Sequence, residues 1–496
     1  MLFNSIEFLL FFPAVVLAYF LIPGKLRIYW LLIASYAFYM GWNPPYALLL
    51  LFSTFVTFVS SLLIGRAKRR AGEERKRKAG KLWVALCLTV NLGILFFYKY
   101  FDFAVDNLNA LFGALGMQLI RPTFDVLLPV GISFYIFQAL SYTLDVYRGD
   151  VKIERNFFRY AVFVSFFPQL VAGPIERSSN LLRQFEEPHQ FSFKNMRDGL
   201  MMMVWGFFQK IVIADRAAIF VNQVFNYPAY YGGVEVLVAM MLFAVQIYGD
   251  FAGYSNIAIG AAQVMGFDLM RNFRRPYFAV SVADFWRRWH ISLSTWFRDY
   301  LYIPLGGNRR GKTRRYINLM IVFLTSGLWH GAAWTYVIWG GLNGLYQVIG
   351  SVTKPFRQRL MKRLNMRTDT FSHKLLQILI TFFLIDISWI FFRANSISDA
   401  FLLLRNLFVI NPWVLLDGSL LNMGLSGTEW MVLLLSIAVL FAAGLVQERN
   451  ISLRDFLNRQ ELWMRFAVVV GAVLAVLIFG IYGPGFDAAA FIYFQF

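Results

Sequence analysis

The chain carries four histidines, His189, His290, His330 and His373. Imidazole is the side chain most ready to exchange a proton near neutral pH, so these four come first in a search for chemistry. His330 stands in TSGLWHGAAWTYVIWGGLNG (325–344), twenty residues without a charge. An ionisable group at membrane depth is expensive, which makes it a functional candidate by default. Gly327, Gly331, Gly340 and Gly344 repeat a four-residue spacing that lets helices approach closely. A histidine that merely hydrogen-bonds across such a helix interface fits the same pattern, and periodicity alone leaves both readings open. His290 lies in ADFWRRWHISLSTWFRDYLYIPLGG (283–307), where Trp286, Trp289, Leu293, Trp296, Phe297 and Tyr300 recur at helical spacing. That stripe predicts one amphipathic helix, either at the membrane interface or leaning into a cavity. His189 follows Glu186, Glu187 and Pro188 and reads as a solvated loop residue, while His373, beside Lys374, reads as interfacial.

Two carboxylates in apolar surroundings come next. Asp250, in QIYGDFAGYSNIAIG, either holds a structural hydrogen bond or ion pair or lines a cavity; Glu176, beside Arg177, reads as a local ion pair. No HExxH, paired cysteine or carboxylate cluster offers a metal site. The P-loop of an ATPase and the GxSxG elbow of a soluble-type esterase are likewise missing from the sequence.

The elements that must position these groups are helices in a bilayer. Of the 496 residues 58% are hydrophobic and 15% charged, with 53 Phe, against about 45–50% and 25% in soluble domains. A surface so apolar needs lipid to cover it. Cys87 is the single cysteine, so neither an internal disulfide nor a cysteine metal site can form, and it reads as a buried small residue. The formal net charge of +19 comes from Lys and Arg gathered between apolar runs. This is the pattern of cytoplasmic loops and anionic-lipid contact, so nucleic acid is not an expected partner.

Spans are predicted near 3–22, 28–44, 47–65, 82–103, 126–146, 157–175, 198–222, 235–265, 316–350, 373–392, 428–446 and 463–482, as one membrane domain over 1–496. The first run has no basic stretch before it and reads as a retained span rather than a signal peptide. The loop RAKRRAGEERKRKAGK (66–81) is placed in the cytoplasm by its charge. Basic segments flank 316–350 on both sides: NRRGKTRR (308–315), then Lys354, Arg357, Arg359, Lys362 and Arg363. A stretch that begins and ends on one side cannot be a single span, so a break or hairpin is predicted there. Irregular backbone at that depth survives only where protein or a water-filled cavity satisfies it.

Three stretches now form a pattern: YGDFAGYSNIAIGAAQVMGFDLMRNFRRPY (248–277), DFWRRWHISLSTWFRDYLYIPLGGNR (284–309) and FLTSGLWHGAAWTYVIWGGLNG (323–344). Fainter echoes are LLPVGISFYIFQALSYTLDVYRG (127–149), FFPQLVAGPIERS, WIFFRA (389–394) and the terminal FIYFQF. Together, with core motifs over about 127–350, they resemble the bacterial, alginate O-acetyltransferase-like branch of the membrane-bound O-acyltransferases. The resemblance implies an all-α polytopic bundle in the cell membrane, with broken or re-entrant helices around a central cavity or tunnel. It implies acyl transfer, here acetyl, from a cytoplasmic thioester (acetyl-CoA or an acyl-carrier protein) to a hydroxyl acceptor for extracellular polysaccharide or the cell envelope. It also implies an extracellular partner acyltransferase, with no bound cofactor. The family's essential histidine matches His330 within LWHG, and its earlier motif position matches His290. Many alginate-type members carry another histidine where this chain has Asn343.

On that footing His330 is the expected general base and His290 orients substrate or polarises the carbonyl. Arg274, Arg275, Arg287 and Arg288 are candidates for the donor's phosphates, with plain positive-inside topology as the other reading. Trp286, Trp329 and Asp250 are candidate donor or acceptor contacts. D-Alanyl transfer from a carrier protein to teichoic acid is the alternative within the family. A transporter or flippase, or an inactive scaffold, are the alternatives outside it; the transporter reading lacks the related halves such proteins show.

Overall fold

The computed structural model describes residues 1–70, 78–117 and 127–482. Part of the basic loop 66–81 and the terminal FIYFQF therefore lie outside the described residues. Every regular element among those described is helical, as a chain in hydrocarbon requires: each backbone N–H and C=O is then satisfied within its own segment. In chain order the helices are α1 (Ile6–Leu21), α2 (Arg27–Met40), α3 (Tyr46–Arg70), α4 (Lys81–Leu95), α5 (Phe101–Ala114), α6 (Ile132–Arg148), α7 (Phe157–Ser165) and α8 (Phe167–Leu170). There follow α9 (Phe193–Phe207), α10 (Asp215–Asn226), α11 (Gly233–Val264), α12 (Val282–Arg288), α13 (Ile291–Phe297), α14 (Gly311–His330) and α15 (Trp334–Arg363). The last are α16 (Phe371–Arg393), α17 (Ile397–Asn406), α18 (Gly427–Glu448), α19 (Leu453–Asn458) and α20 (Leu462–Phe479). Among the described residues six stretches are long and apolar enough to cross a bilayer, α3, α11, α16, α18 and α20 included.

The chain forms two compact units, Met1–Leu200 with Ala258–Met270, and Met201–Ile257 with Arg271–Phe496. In the first, α3 turns Ser53, Thr54, Thr57, Ser60 and Ser61 inward, the small and hydroxylated face on which membrane helices pack. Ser53 Oγ donates to Asn91 Oδ1 at 2.6 Å, and the Tyr160 hydroxyl to Thr57 at 2.8 Å. Cys87 is buried, as expected, 3.6 Å from the Thr143 hydroxyl. Two expectations need correction here. Glu176 accepts from the Met270 N–H at 2.5 Å and from Asn180 Nδ2 at 2.9 Å, so its carboxylate clamps the turn after α11 instead of forming only a local ion pair. His189 is half-buried, its ring 4.5 Å from Phe267, and is not a solvated loop residue. The apolar run 157–175 is also interrupted: it breaks at Phe166, between α7 and α8.

The second unit holds the hairpin expected within 316–350. Its arms are α14 and α15, and the reversal falls at 331–333. Both outer ends carry the basic residues, and an arm of twenty residues rises about 30 Å, so the tip lies far from those basic ends. The glycines do two jobs. Gly331 sits at the reversal, whereas Gly327 and Gly340 lie between the arms: a Cβ on Gly340 would come within 2.3 Å of the Phe323 carbonyl oxygen, and one on Gly327 equally close to that of Tyr336. Backbone cannot yield as a flexible side chain does. Gly340→Val is therefore expected to unseat α15 and lower the melting temperature of the detergent-solubilised protein by several degrees, while Gly350→Val, with open space beside it, changes it little. α11, although longer than an untilted span needs, is one unbroken helix. Gly253 and Gly206 let α11 pack closely against the segment that ends α9, a Cβ on either meeting the other's carbonyl oxygen at 2.6–2.7 Å.

Candidate active site

The amphipathic helix expected over 283–307 is two short helices with His290 at the break. His290 adopts φ 43 and ψ 56, a left-handed conformation that side-chain-bearing residues seldom take without support. The support comes from Asn272. Its carbonyl accepts from the Ile291 N–H at 2.9 Å, and its Oδ1 from the Ser292 N–H at 3.2 Å. The Arg274 N–H in turn donates to the Arg288 carbonyl at 2.9 Å. Hydrogen bonding along 272–274 thus outweighs the helical periodicity, and the kink turns Trp289 and His290 into the core.

His290 is fully buried and His330 is 3% exposed. Their ring centroids lie 6.3 Å apart. His330 ends α14 at the hairpin tip, edge-on to Trp339 at 5.0 Å and to Phe392 at 5.5 Å, with Trp329 at 5.0 Å. His290 meets Phe251 at 4.7 Å and Trp329 at 5.9 Å. Trp329 therefore touches both imidazoles. Burial pushes the His290 pKa down to about 3, so the ring is neutral over the physiological range and acts there as one donor and one acceptor. An aromatic cage of this kind excludes bulk water and fixes ring orientation, both of which a proton transfer needs.

Trp286 joins the cage through Asn343. Its indole N–H donates to Asn343 Oδ1 at 3.1 Å, while Asn343 Nδ2 donates to the Trp339 carbonyl at 2.9 Å and reaches Ser388 Oγ at 3.2 Å. Asn343 is fully buried and ties α12, α15 and α16 together. Trp339 stacks on Trp389 at 5.6 Å with 18° between the planes. The sequence reading singled out neither Trp339, Trp389, Phe392 nor Ser388. WIFFRA, noted only as an echo, holds two of them; its aromatic spacing is the signal that pointed there.

The remaining candidates make other contacts. Asp250 is held by Lys210, whose Nζ lies 2.5 Å from Asp250 Oδ1 and 2.8 Å from Asp215 Oδ1, all three side chains buried. The ion pair, one of its two readings, is present. Lys210 was missed, although Lys210 and Asp215 are charges inside an apolar run, the same signal that flagged Asp250. Among the arginines, Arg275 pairs with Glu448 at 2.8 Å, and Arg288 with Glu448 and Asp284 at 3.1 Å each. Arg274 and Arg287 are exposed, with no ion pair among the described residues. No group of three or more metal-binding side chains occurs among the described residues.

Comparison with known proteins adds three findings. Residues 154–396 match the family model described as MBOAT, membrane-bound O-acyltransferase family. The chain is 37% identical to "Probable alginate O-acetylase AlgI" of Pseudomonas syringae pv. tomato over 93% of its own length and 83% of the relative's. It is 33% identical to a peptidoglycan O-acetyltransferase of Helicobacter pylori over 83% and 80%, and 27% identical to a teichoic acid D-alanyltransferase of Bacillus subtilis over 55% and 71%.

Proposed function

Because this chain belongs to the membrane-bound O-acyltransferase family, we propose that it moves an acetyl group from a cytoplasmic thioester to a hydroxyl destined for an extracellular polysaccharide or another cell-envelope glycan. The observation that carries the reading is the pair His330 and His290, 6.3 Å apart in an aromatic cage at the tip of a hairpin whose open ends are basic. The names of the alginate and peptidoglycan relatives support an acetyl group and a glycan acceptor.

In this mechanism the acceptor oxygen attacks the thioester carbonyl while His330 takes its proton. The tetrahedral intermediate collapses with cleavage of the C–S bond, and the proton on His330 passes to the departing sulfur. One ester forms, one thioester is lost, and His330 ends as it began. A thioester is already activated, so positioning and one proton shuttle suffice. Neutral His290 orients the acceptor hydroxyl or donates a hydrogen bond to the carbonyl oxygen as charge develops there. Trp329, against both rings, keeps the pair in register, and Asn343 holds Trp286 and Trp339 around them. The whole chain acts as one membrane domain, with an extracellular partner enzyme receiving the acyl group or completing the transfer.

The four arginines divide in this account. Arg274 and Arg287 are open to a donor's phosphates, whereas Arg275 and Arg288 hold Glu448 and so anchor the end of α18. Replacing Arg274 and Arg287 with alanine is expected to raise the KM for acetyl-CoA about tenfold, on the scale of losing one to two charge-assisted hydrogen bonds, with little change in melting temperature. Arg275→Ala and Arg288→Ala should instead lower the melting temperature. Kinetics and thermal melts on the same reconstituted samples separate the two classes. An unchanged KM in the Arg274 and Arg287 variants would leave these residues to topology alone.

The proposal as a whole is tested by supplying acetyl-CoA, labelled in the acetyl group, to the protein in lipid vesicles with a hydroxyl-bearing glycan inside. Labelled ester in the lumen supports it. Consumption of the donor without labelled glycan points to a different acceptor or to the missing partner, and no consumption of any thioester contradicts it.

A further inference from the structure

The last three turns of α15, from Val352 to Arg363, stand clear of the rest of the protein: none of these residues is buried, and all but Thr353 and Met361 are exposed. A lone helix of that length is marginal in water, and this one also contains Pro355, which donates no backbone hydrogen bond. Its large apolar side chains recur at every fourth position, with Val352 55%, Phe356 68% and Leu360 43% exposed, and Leu364 60% just beyond the helix. At about 100° per residue these form one stripe. Arg357 and Arg359 flank it on either side, while Lys354 and Lys362 lie on the opposite face. Towards the hairpin tip the stripe runs on through the exposed Ile349 and Leu345. The cations have no acid to answer them. The sequence has no Asp or Glu from Tyr300 to Thr368, and Lys354, Arg357, Arg359 and Lys362 make no ion pair among the described residues.

The level of this segment in the bilayer follows from α16. Trp339 meets Phe392, and Asn343 meets Ser388 at 3.2 Å, so the two helices run antiparallel. Counting on along α15 from Asn343 and back along α16 from Ser388 by the same number of residues brings Arg357 level with Lys374. From Leu375 to Ile385 α16 is uncharged, and it is long enough to cross the bilayer. Lys374 therefore marks the edge of the hydrocarbon, and the free turns of α15 pass through that same edge, where lipid headgroups lie.

We propose that residues 352–363 bind anionic phospholipid, the apolar stripe entering the acyl-chain boundary and Lys354, Arg357, Arg359 and Lys362 holding headgroup phosphates. Helices with an apolar stripe and many Lys and Arg bind such surfaces through buried apolar area and attraction to anionic lipid. Arg357 gives one donor to the Gly350 carbonyl at 2.9 Å and keeps the rest of its guanidinium for a phosphate. A soluble phosphate ligand would leave the stripe without a role, and cations spread over three turns do not converge on one small anion. The occupant is lipid rather than a protein because the stripe continues without a break into Ile349 and Leu345, which lie level with the hydrocarbon-spanning part of α16. α15 starts just past His330, so lipid held at its far end fixes the base of the hairpin against the bilayer. This holds whichever group the protein transfers.

The test measures amide hydrogen exchange over 352–363 in the full chain, in nanodiscs of phosphatidylcholine alone and of phosphatidylcholine with an equal part of phosphatidylglycerol. These turns should exchange fast in the neutral lipid and about tenfold or more slower in the anionic one, the scale of one or two cations against an anionic surface. Added salt should shrink the difference. Combining Lys354→Gln, Arg357→Gln, Arg359→Gln and Lys362→Gln should abolish it, with the rest of the chain exchanging as before. Phe356→Ser with Leu360→Ser should weaken the protection although every cation remains. Equal exchange of the wild type in the two lipids overturns the proposal, and that comparison decides even where a variant fails to accumulate. A lipid difference that survives both sets of substitutions overturns it too. Slowing by acetyl-CoA in the neutral lipid would give the cations to donor phosphates, and slowing only on addition of an acyl-carrier protein would give the surface to a protein; either result overturns the lipid assignment.

Discussion

Lys210→Met is expected to destabilise the protein by about 3–5 kcal/mol, the range for removing one partner of a buried ion pair. Lys210 Nζ stands between Asp215 and Asp250 at 2.8 and 2.5 Å, in the π-helical segment Phe208–Ala214 that joins α9 to α10. Methionine fills much the same volume but leaves two buried carboxyls facing each other with no cation. The loss should appear as a large drop in melting temperature, or as failure to accumulate in the membrane. Adding Asp215→Asn and Asp250→Asn to Lys210→Met removes both stranded acids and should recover much of the loss, because a fully neutral replacement of a buried ionic group is often tolerated. If Lys210→Met melted like the wild type, the three groups would not form one electrostatic unit.

His330→Ala should lower kcat by about 10²–10⁴, the usual contribution of a positioned general base. KM for the donor should change little, because in the proposed mechanism the imidazole takes a proton rather than holding the donor. The variant should fold, since alanine leaves the hairpin's glycine contacts and the Asn343 network intact. His290→Ala should cost less than His330→Ala. The double variant should fall well short of the product of the two losses, as expected for residues acting as one unit. Multiplicative losses in a double-mutant comparison would contradict the shared site.

Much of this architecture was legible beforehand. Charge on both flanks of 316–350 demanded a hairpin, and α14 and α15 form one, with His330 at its tip. His330 was visible as a lone ionisable group in an uncharged run. What escaped the sequence was set by tertiary hydrogen bonds that no local pattern records. Asn272, twenty residues before Ser292, imposes the left-handed turn at His290, so a continuous apolar stripe became two short helices. Asn343 looked like a gap in a family pattern, yet it holds Trp286 from α12 and meets Ser388 of α16. The lysine that claims Asp250 lies 40 residues earlier in the chain, and nothing near Asp250 announces it. Arg275 and Arg288 were grouped with Arg274 and Arg287 because all four look alike in sequence; Glu448, far downstream, separates them.

The most direct test of the central claim is free-thiol release from acetyl-CoA by the purified protein in lipid, with wild type and His330→Ala compared at matched folding. Thiol release by the wild type that falls at least about 100-fold in the variant is the predicted result. Equal rates in the two proteins would remove His330 from the chemistry and contradict the account.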